Sequence, residues 1–375
     1  MGTRAEIIKM APLYYALKEI DANPVVWHVG QHEELAWPFY EFFRITPELH
    51  FPLSRRKPSL GHLSALIMEK LDIALRKTDP ACMVVQGDTS SAFIAALSAF
   101  YYKLPIAHVE AGLRTFREYE PFPEEKNREL ISRLAHIHFT PSEQASNNLK
   151  AEGIPDKDIH LVGNTIVDAT TWGVKHLKVN AQPFSELRDF PVKQYENLCG
   201  SHRLIVVTAH RRENWDSGIE EIATSVRAII ENYDDVFIVW PVHPNPVIKN
   251  AILKQVDSMS EQDKNRLLLT QPLTYPVMIH LLRDAWLIMT DSGGIQEEAI
   301  TLGVPVLVLR EATERPEVIA AGGGIVVGTQ RVRILQVLEK LTNDTASYDA
   351  MRNCPNPYGD GQASEYIAEI LVKGL

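Results

Sequence analysis

The stretch AWLIMTDSGGIQEEAITLGVPVLVLR at 285–310 decides the fold. An apolar run ends in Thr290 and Asp291, two glycines follow, and Ile295, Ala299 and Leu302 then recur at helical spacing before a second apolar run begins at Val304. Strand, tight turn, helix and strand make a crossover unit, and strands joined by a crossover run parallel. The same rhythm extends outward. VVWHV at 25–29, CMVVQGD at 82–88, IAHVEAG at 106–112, HIHFTPS at 136–142 and IHLVGN at 159–164 precede it, and LIVVTAH at 204–210, VFIVWPVH at 236–243 and GIVVGT at 324–329 complete a second series. The expected class is therefore α/β, with two Rossmann-like doubly wound domains and a cleft between them. The rhythm lapses at 181–202, so a junction is expected in or just before that stretch.

Composition bounds what such a chain does. With 375 residues, 45% hydrophobic and 23% charged, it is sized for more than one ordinary domain. No apolar run nears the roughly 20 residues of a membrane helix, and no secretory signal is visible. A net charge of -10 argues against a general nucleic-acid binder, so any anionic ligand has to meet a local basic cluster. Cys82, Cys199 and Cys354 lack metal-type spacing, which points to packing residues in a reducing, cytoplasmic setting.

Polar residues collect where strands end: Asp88, Glu110, His210, His243 and Asp291. Ser292, Gly293 and Gly294 open the helix of the quoted stretch, where free N–H groups and the helix dipole suit a pyrophosphate. Read singly, Ser292 is a cap and the glycines a turn. Glu298, a turn further on, is placed for ribose hydroxyls, and Arg315 for phosphate oxygens, although an ion pair with Glu314 or Glu317 is the plainer expectation. Asp88, Glu110, Glu124 and His210 form the candidate acid–base set. Each has a bland alternative: Asp88 as a helix cap, Glu110 as a partner of Arg114, Glu124 as an i,i+4 partner of Arg128, His210 as a satisfied strand-end histidine. All four at once are less easily explained that way.

In order along the chain, GTRAEIIKMAPL, QGDTSS, HVEAGLRT, PEEKNRE, GNTIVDA, TAHRREN, PVHPNP, TDSGGIQEEA, ERPE and NPYGDGQAS resemble the non-hydrolysing UDP-N-acetylglucosamine 2-epimerases. The resemblance implies the GT-B architecture, with an N-terminal domain over 1–175, a UDP-binding domain over 176–358 and a helix over 359–375 crossing back to the first. It implies a homodimer that interconverts UDP-N-acetylglucosamine and UDP-N-acetylmannosamine for surface polysaccharide synthesis, without cofactor or metal and without a nucleic-acid or membrane partner. Catalysis would fall to Asp88, Glu110, Glu124 and His210. Arg4, Lys9, Gln31, His32, Arg128, Met278, Ser292, Gly293, Gly294, Glu298 and Arg315 would bind the UDP-sugar, and Gln31 and His32 match a motif that in some members also serves a second, regulatory substrate site. Which carboxylate takes the C2 proton stays open.

The family usually has proline at Ala5 and an aromatic residue near Met278, where a thioether keeps apolar contact but weakens stacking on uracil. A hydrophobic strand precedes its GTRPE, whereas this sequence opens MGTRAEIIKM. A late start is the expectation; with an authentic start, the first sheet would have a gap or an unusual replacement and Arg4 would sit on a frayed terminus. The competing readings are a GT-B glycosyltransferase, a hydrolysing epimerase and an inactive nucleotide-sugar-binding paralogue.

Overall fold

The computed structural model describes residues 1–31, 33–53, 59–179, 190–215 and 217–374. The chain divides into two compact units, Met1–Ala169 together with Tyr358–Leu375, and Thr170–Pro357. The helix Thr165–Val179 runs through the first boundary. Residues 180–189, in the stretch where a junction was expected, lie outside the described residues.

The second unit is built on six parallel strands: β7 (Arg203–Thr208), β8 (Val236–Pro241), β9 (Leu267–Thr270), β10 (Leu287–Thr290), β11 (Val306–Val308) and β12 (Gly324–Val326). Their order is β12-β11-β10-β7-β8-β9, so the sheet winds outward in both directions from the β7/β10 pair. That pair is the topological switch point, where loops after neighbouring strands diverge and leave room for a ligand. Strands covered on both faces need apolar residues at nearly every position, and LIVV and VFIVW supply them: Ile205, Val207, Phe237, Ile238 and Trp240 are fully buried. Ile205, Val207, Ile238 and Trp240 pack with Ile222, Val226 and Ile229 of the helix Ser217–Asn232 and with Ile334 and Leu338 of the helix Arg331–Asn343, while Phe237 meets Tyr195.

The first unit holds β1 (Trp27–His28) and β2 (Leu49–His50) as a parallel pair, and β3 (Met83–Gln86), β4 (Ile106–Val109), β5 (Ile137–Thr140) and β6 (Ile159–Leu161) as a four-stranded parallel sheet. The helix Arg4–Glu19 lays Met10, Leu13 and Ala16 against Ile367, Ala368 and Leu371 of the helix Ala363–Gly374. The return of the chain is fixed by its backbone. Tyr358 O accepts from Asn164 N (2.9 Å), and Gly163 sits at φ +90° so close that a Cβ there would fall 2.6 Å from that carbonyl oxygen. Asp168 Oδ1 then accepts from Ser364 N (2.8 Å) at the start of the returning helix. Among the described residues, no helix is long and apolar enough to cross a membrane.

Where β1 and β3 would otherwise face each other, Met1 makes the first rungs of a parallel ladder. Its amino group donates to Trp27 O (2.7 Å) and its carbonyl accepts from Val29 N (2.9 Å). Beside it lies a small groove lined by Met10, Trp27, Val29, Leu71, Met83 and Val85 among others. Desolvation pushes the buried α-amino group below its ordinary value. The expected frayed terminus is thus corrected: Gly2 N and Thr3 Oγ1 donate to Glu6 (2.7 and 3.0 Å), and Thr3 caps the helix that starts at Arg4.

Two strands are absent from the sequence expectations. β9 reads LLLT, leucine-rich with Thr270 as its one β-branched residue, and comes two residues after a helical EQDK, so its local pattern suits a helix. β2 is only two residues long, too short for any periodicity to register.

Candidate active site

Helix starts and strand ends bring the first unit's polar residues together. Glu110 follows β4 at φ +62°, a conformation that non-glycine residues seldom adopt and that turns its side chain out of the strand's alternation. Its Oε1 lies 2.5 Å from Lys9 Nζ, and both side chains are more than nine-tenths buried. Gln86 Nε2 donates to the other carboxylate oxygen and Asn164 Nδ2 to Oε1 (3.4 Å). A buried carboxylate held this way is oriented rather than merely tolerated. The Arg114 partnership expected for Glu110 is corrected, since Arg114 binds Glu152 (2.6 Å).

Asp88, half-buried after β3, takes Arg128 Nε on Oδ2 at 2.7 Å. The cap expected of it is made by Thr89, whose hydroxyl accepts from Ala92 N. Arg128 also reaches Glu125 (3.0 Å), and Glu125 accepts the backbone N–H groups of Thr115 and Phe116 (2.9 Å each). Glu125 therefore holds a loop, while its neighbour Glu124, half-buried at the first turn of the same helix, stays in the candidate set. Thr89 Oγ1 donates to Glu6 Oε1 (2.6 Å), joining this loop to the N-terminal turn. Arg4 is exposed on that turn, and Gln31 accepts from Ser91 N and Oγ (3.1 and 2.6 Å). His32 lies outside the described residues.

In the second unit the loops after β7 and β10 are tied by one carboxylate. Asp291 is fully buried, and its Oδ2 accepts from His210 N, Arg211 N (2.8 Å each) and Asn214 Nδ2 (3.1 Å). His210 Nδ1 lies 3.1 Å from Oδ1, and its side chain is 46% exposed. Burial alone would raise the Asp291 pKa, but these partners outweigh it and hold the carboxyl below its usual range.

Ser292 precedes the helix Gly293–Thr301 without making a side-chain cap, so the capping alternative fails and its hydroxyl is not spent on the helix. A Cβ at Gly293 would stand 3.6 Å from Arg315 Cζ, which puts the guanidinium beside the helix start. Arg315 Nε donates to Glu297 Oε1 and Nη1 to Glu314 O (3.1 Å). Its ion pair is thus with Glu297, a residue the sequence reading did not single out. The helix also differs from expectation in what it buries: Gln296, Glu297 and Glu298 lie in the interior with Ala299 and Ile300, while Ile295 is half-buried. Polar residues go inside here because they have partners there, as when Thr313 Oγ1 donates to Gln296 Oε1 (2.7 Å). Burial, followed by the charge of nearby Glu298, pushes the Tyr275 phenol well above its ordinary value. Met278 is half-buried on the same helix as Tyr275.

A family model described as UDP-N-acetylglucosamine 2-epimerase matches residues 16–372. This chain belongs to the UDP-N-acetylglucosamine 2-epimerase family. It is 40% identical over 374 residues to the UDP-N-acetylglucosamine 2-epimerase of Escherichia coli K12, covering 99% of this chain and 96% of that one. The UDP-GlcNAc 2-epimerase of Neisseria meningitidis, solved bound to UDP-GlcNAc, matches with a TM-score of 0.88 and 38% identity over 99% of this chain and 98% of its own. The Methanocaldococcus jannaschii UDP-GlcNAc 2-epimerase, solved with UDP-GlcNAc and UDP, matches with a TM-score of 0.79 and 33% identity over 100% of this chain and 98% of its own. This epimerase-family chain accordingly has the two-domain GT-B fold of its relatives.

Proposed function

We propose that the protein interconverts UDP-N-acetylglucosamine and UDP-N-acetylmannosamine without hydrolysis. A base takes the C2 proton, the C–H electron pair becomes the C1–C2 double bond, and the C1–O pair leaves with UDP, giving 2-acetamidoglucal. A proton then arrives at C2 on the other face as a UDP oxygen re-forms the bond to C1. Carrying both steps requires acid–base groups at the sugar and a site that holds the diphosphate between them.

The observation that carries the reading is the turn at 292–294. A helix start with an uncommitted serine side chain and two glycines stands beside the Arg315 guanidinium, and the neighbouring strand end supplies His210. In this reading Ser292, Gly293, Gly294 and Arg315 hold the diphosphate, Glu298 the ribose, Met278 the uracil, and His210 the charge that accumulates on the leaving group. Asp88, Glu110 and Glu124 act on the sugar as acid, base and positioning group. Lys9 and Arg128 keep Glu110 and Asp88 oriented, and in this reading Arg4, Gln31 and His32 bind the UDP-sugar. The Neisseria relative, bound to UDP-GlcNAc, supports the substrate class. A cytoplasmic homodimer that feeds surface polysaccharide synthesis belongs to the same reading.

The test is to incubate the purified protein with UDP-N-acetylglucosamine and resolve products by proton NMR. UDP-N-acetylmannosamine at equilibrium with its epimer is expected. Stoichiometric release of free N-acetylmannosamine and UDP would replace the reading with a hydrolysing one.

A further inference from the structure

The side chain of Asp291 sits beneath the candidate site and cannot reach solvent, yet it is the most heavily engaged group there. Three donors on Oδ2 fix the plane of the carboxylate, and the buried Oδ1, which accepts no hydrogen bond of its own, lies 3.1 Å from His210 Nδ1. The backbone of His210 is held at both ends. Its N–H goes to Asp291, and its carbonyl accepts from Trp215 Nε1 (3.0 Å). A carboxylate opposite one imidazole nitrogen makes that nitrogen the protonated one and sets the other as the atom offered to a ligand.

We propose that Asp291 is a positioning residue for the epimerisation: it fixes His210 as the Nδ1–H tautomer, presents Nε2 to the diphosphate, and compensates the imidazolium formed when Nε2 takes a solvent proton as the UDP-sugar binds. The inference rests on the reading of His210 as a leaving-group partner. Asp291 does not touch the substrate. Its carboxylate works through the ring, as a fixed anion beside a cation whose Nε2–H contact strengthens as charge gathers on the departing UDP oxygen, so its contribution falls on kcat more than on KM. Arg211, whose N–H shares the same carboxylate oxygen, turns its own guanidinium to Glu314 (3.7 Å) and so leaves the Asp291 charge to His210.

The first measurement is of the unaltered protein: nitrogen-15 NMR of imidazole rings in histidine-labelled protein, with His210→Gln used to identify the signal. The Nδ1-protonated form is expected, and an Nε2-protonated ring would overturn the proposal without any variant of Asp291. Kinetics follow on Asp291→Asn, His210→Gln and the double variant. Asp291→Asn should lower kcat about 100-fold while KM moves less than about 3-fold, and the double variant should be no slower than His210→Gln alone. If His210→Gln keeps full activity, the reading of His210 fails. If His210→Gln is slow but Asp291→Asn is not, or if the two losses multiply, Asp291 is not acting through the ring and the proposal falls alone.

Discussion

Replacing Lys9 by methionine removes the ammonium from a carboxylate that water cannot reach. Lys9 Nζ and Glu110 Oε1 are 2.5 Å apart with side chains 7% and 6% exposed, so neither charge is appreciably hydrated in the fold. Breaking such a pair from one side leaves an uncompensated buried charge and costs about 3–5 kcal/mol. Gln86 and Asn164 remain as neutral donors, each worth about 1 kcal/mol to the carboxylate, which places the expected loss near the lower bound, about 3 kcal/mol. Methionine matches the length of the lysine stem and keeps its packing. The double variant Lys9→Met with Glu110→Gln removes both charges and should recover about 2 kcal/mol of that loss, since neutral pairs in buried sites are far cheaper to leave imperfect. Guanidinium unfolding followed by circular dichroism measures the three stabilities, and UDP-N-acetylmannosamine formation measures activity, which neither variant should retain. A loss below about 1 kcal/mol in Lys9→Met, or a double variant less stable than the single, would refute the assignment of Lys9 as the counter-ion of Glu110.

Acid should weaken the first unit through His108 and His138, cross-strand neighbours in β4 and β5. Burial pushes each from 6.5 to about 4. Above pH 6.5 both rings are neutral folded or unfolded, whereas between 6.5 and about 4 the unfolded chain binds protons that the fold refuses, so stability falls by up to about 3 kcal/mol per ring. His108→Gln keeps a donor for Gly87 O and should remove about half of that dependence in a pH series of unfolding curves; an unchanged slope would exclude His108. Gly293→Ala meets only ordinary contact at Arg315, so it should fold normally yet bind UDP about 10–100-fold more weakly by calorimetry, the cost of one or two charge-assisted hydrogen bonds.

The parallel sheets and the strand-end placement of Asp88, Glu110, His210 and Asp291 are legible because strands covered on both faces demand uninterrupted apolar runs, and polar residues can return only where the run stops. Partners are another matter. Glu110 pairs with Lys9, 101 positions away, while Arg114 goes to Glu152, and Arg315 pairs with Glu297, 18 positions away. Sequence spacing captures contacts along a helix, whereas these arise from crossovers that bring distant strand ends and helix starts together. The buried polar face of the helix Gly293–Thr301 escaped notice for the same reason: periodicity weighs Ile295 and Leu302 as the core, while Glu297 and Gln296 go inside because Arg315 and Thr313 meet them. Asp291 was visible as the end of a strand, but its grip on the loop after β7 follows only from the adjacency of β7 and β10.

The most direct measurement of the central claim is to run the reaction in deuterated water and follow C2 of the sugar by NMR. UDP-N-acetylmannosamine carrying deuterium at C2, with deuterium entering the UDP-N-acetylglucosamine pool as equilibrium is reached, is the predicted result. Epimer formed with its original C2 proton fully retained would contradict elimination and re-addition through solvent-exchangeable carboxylates.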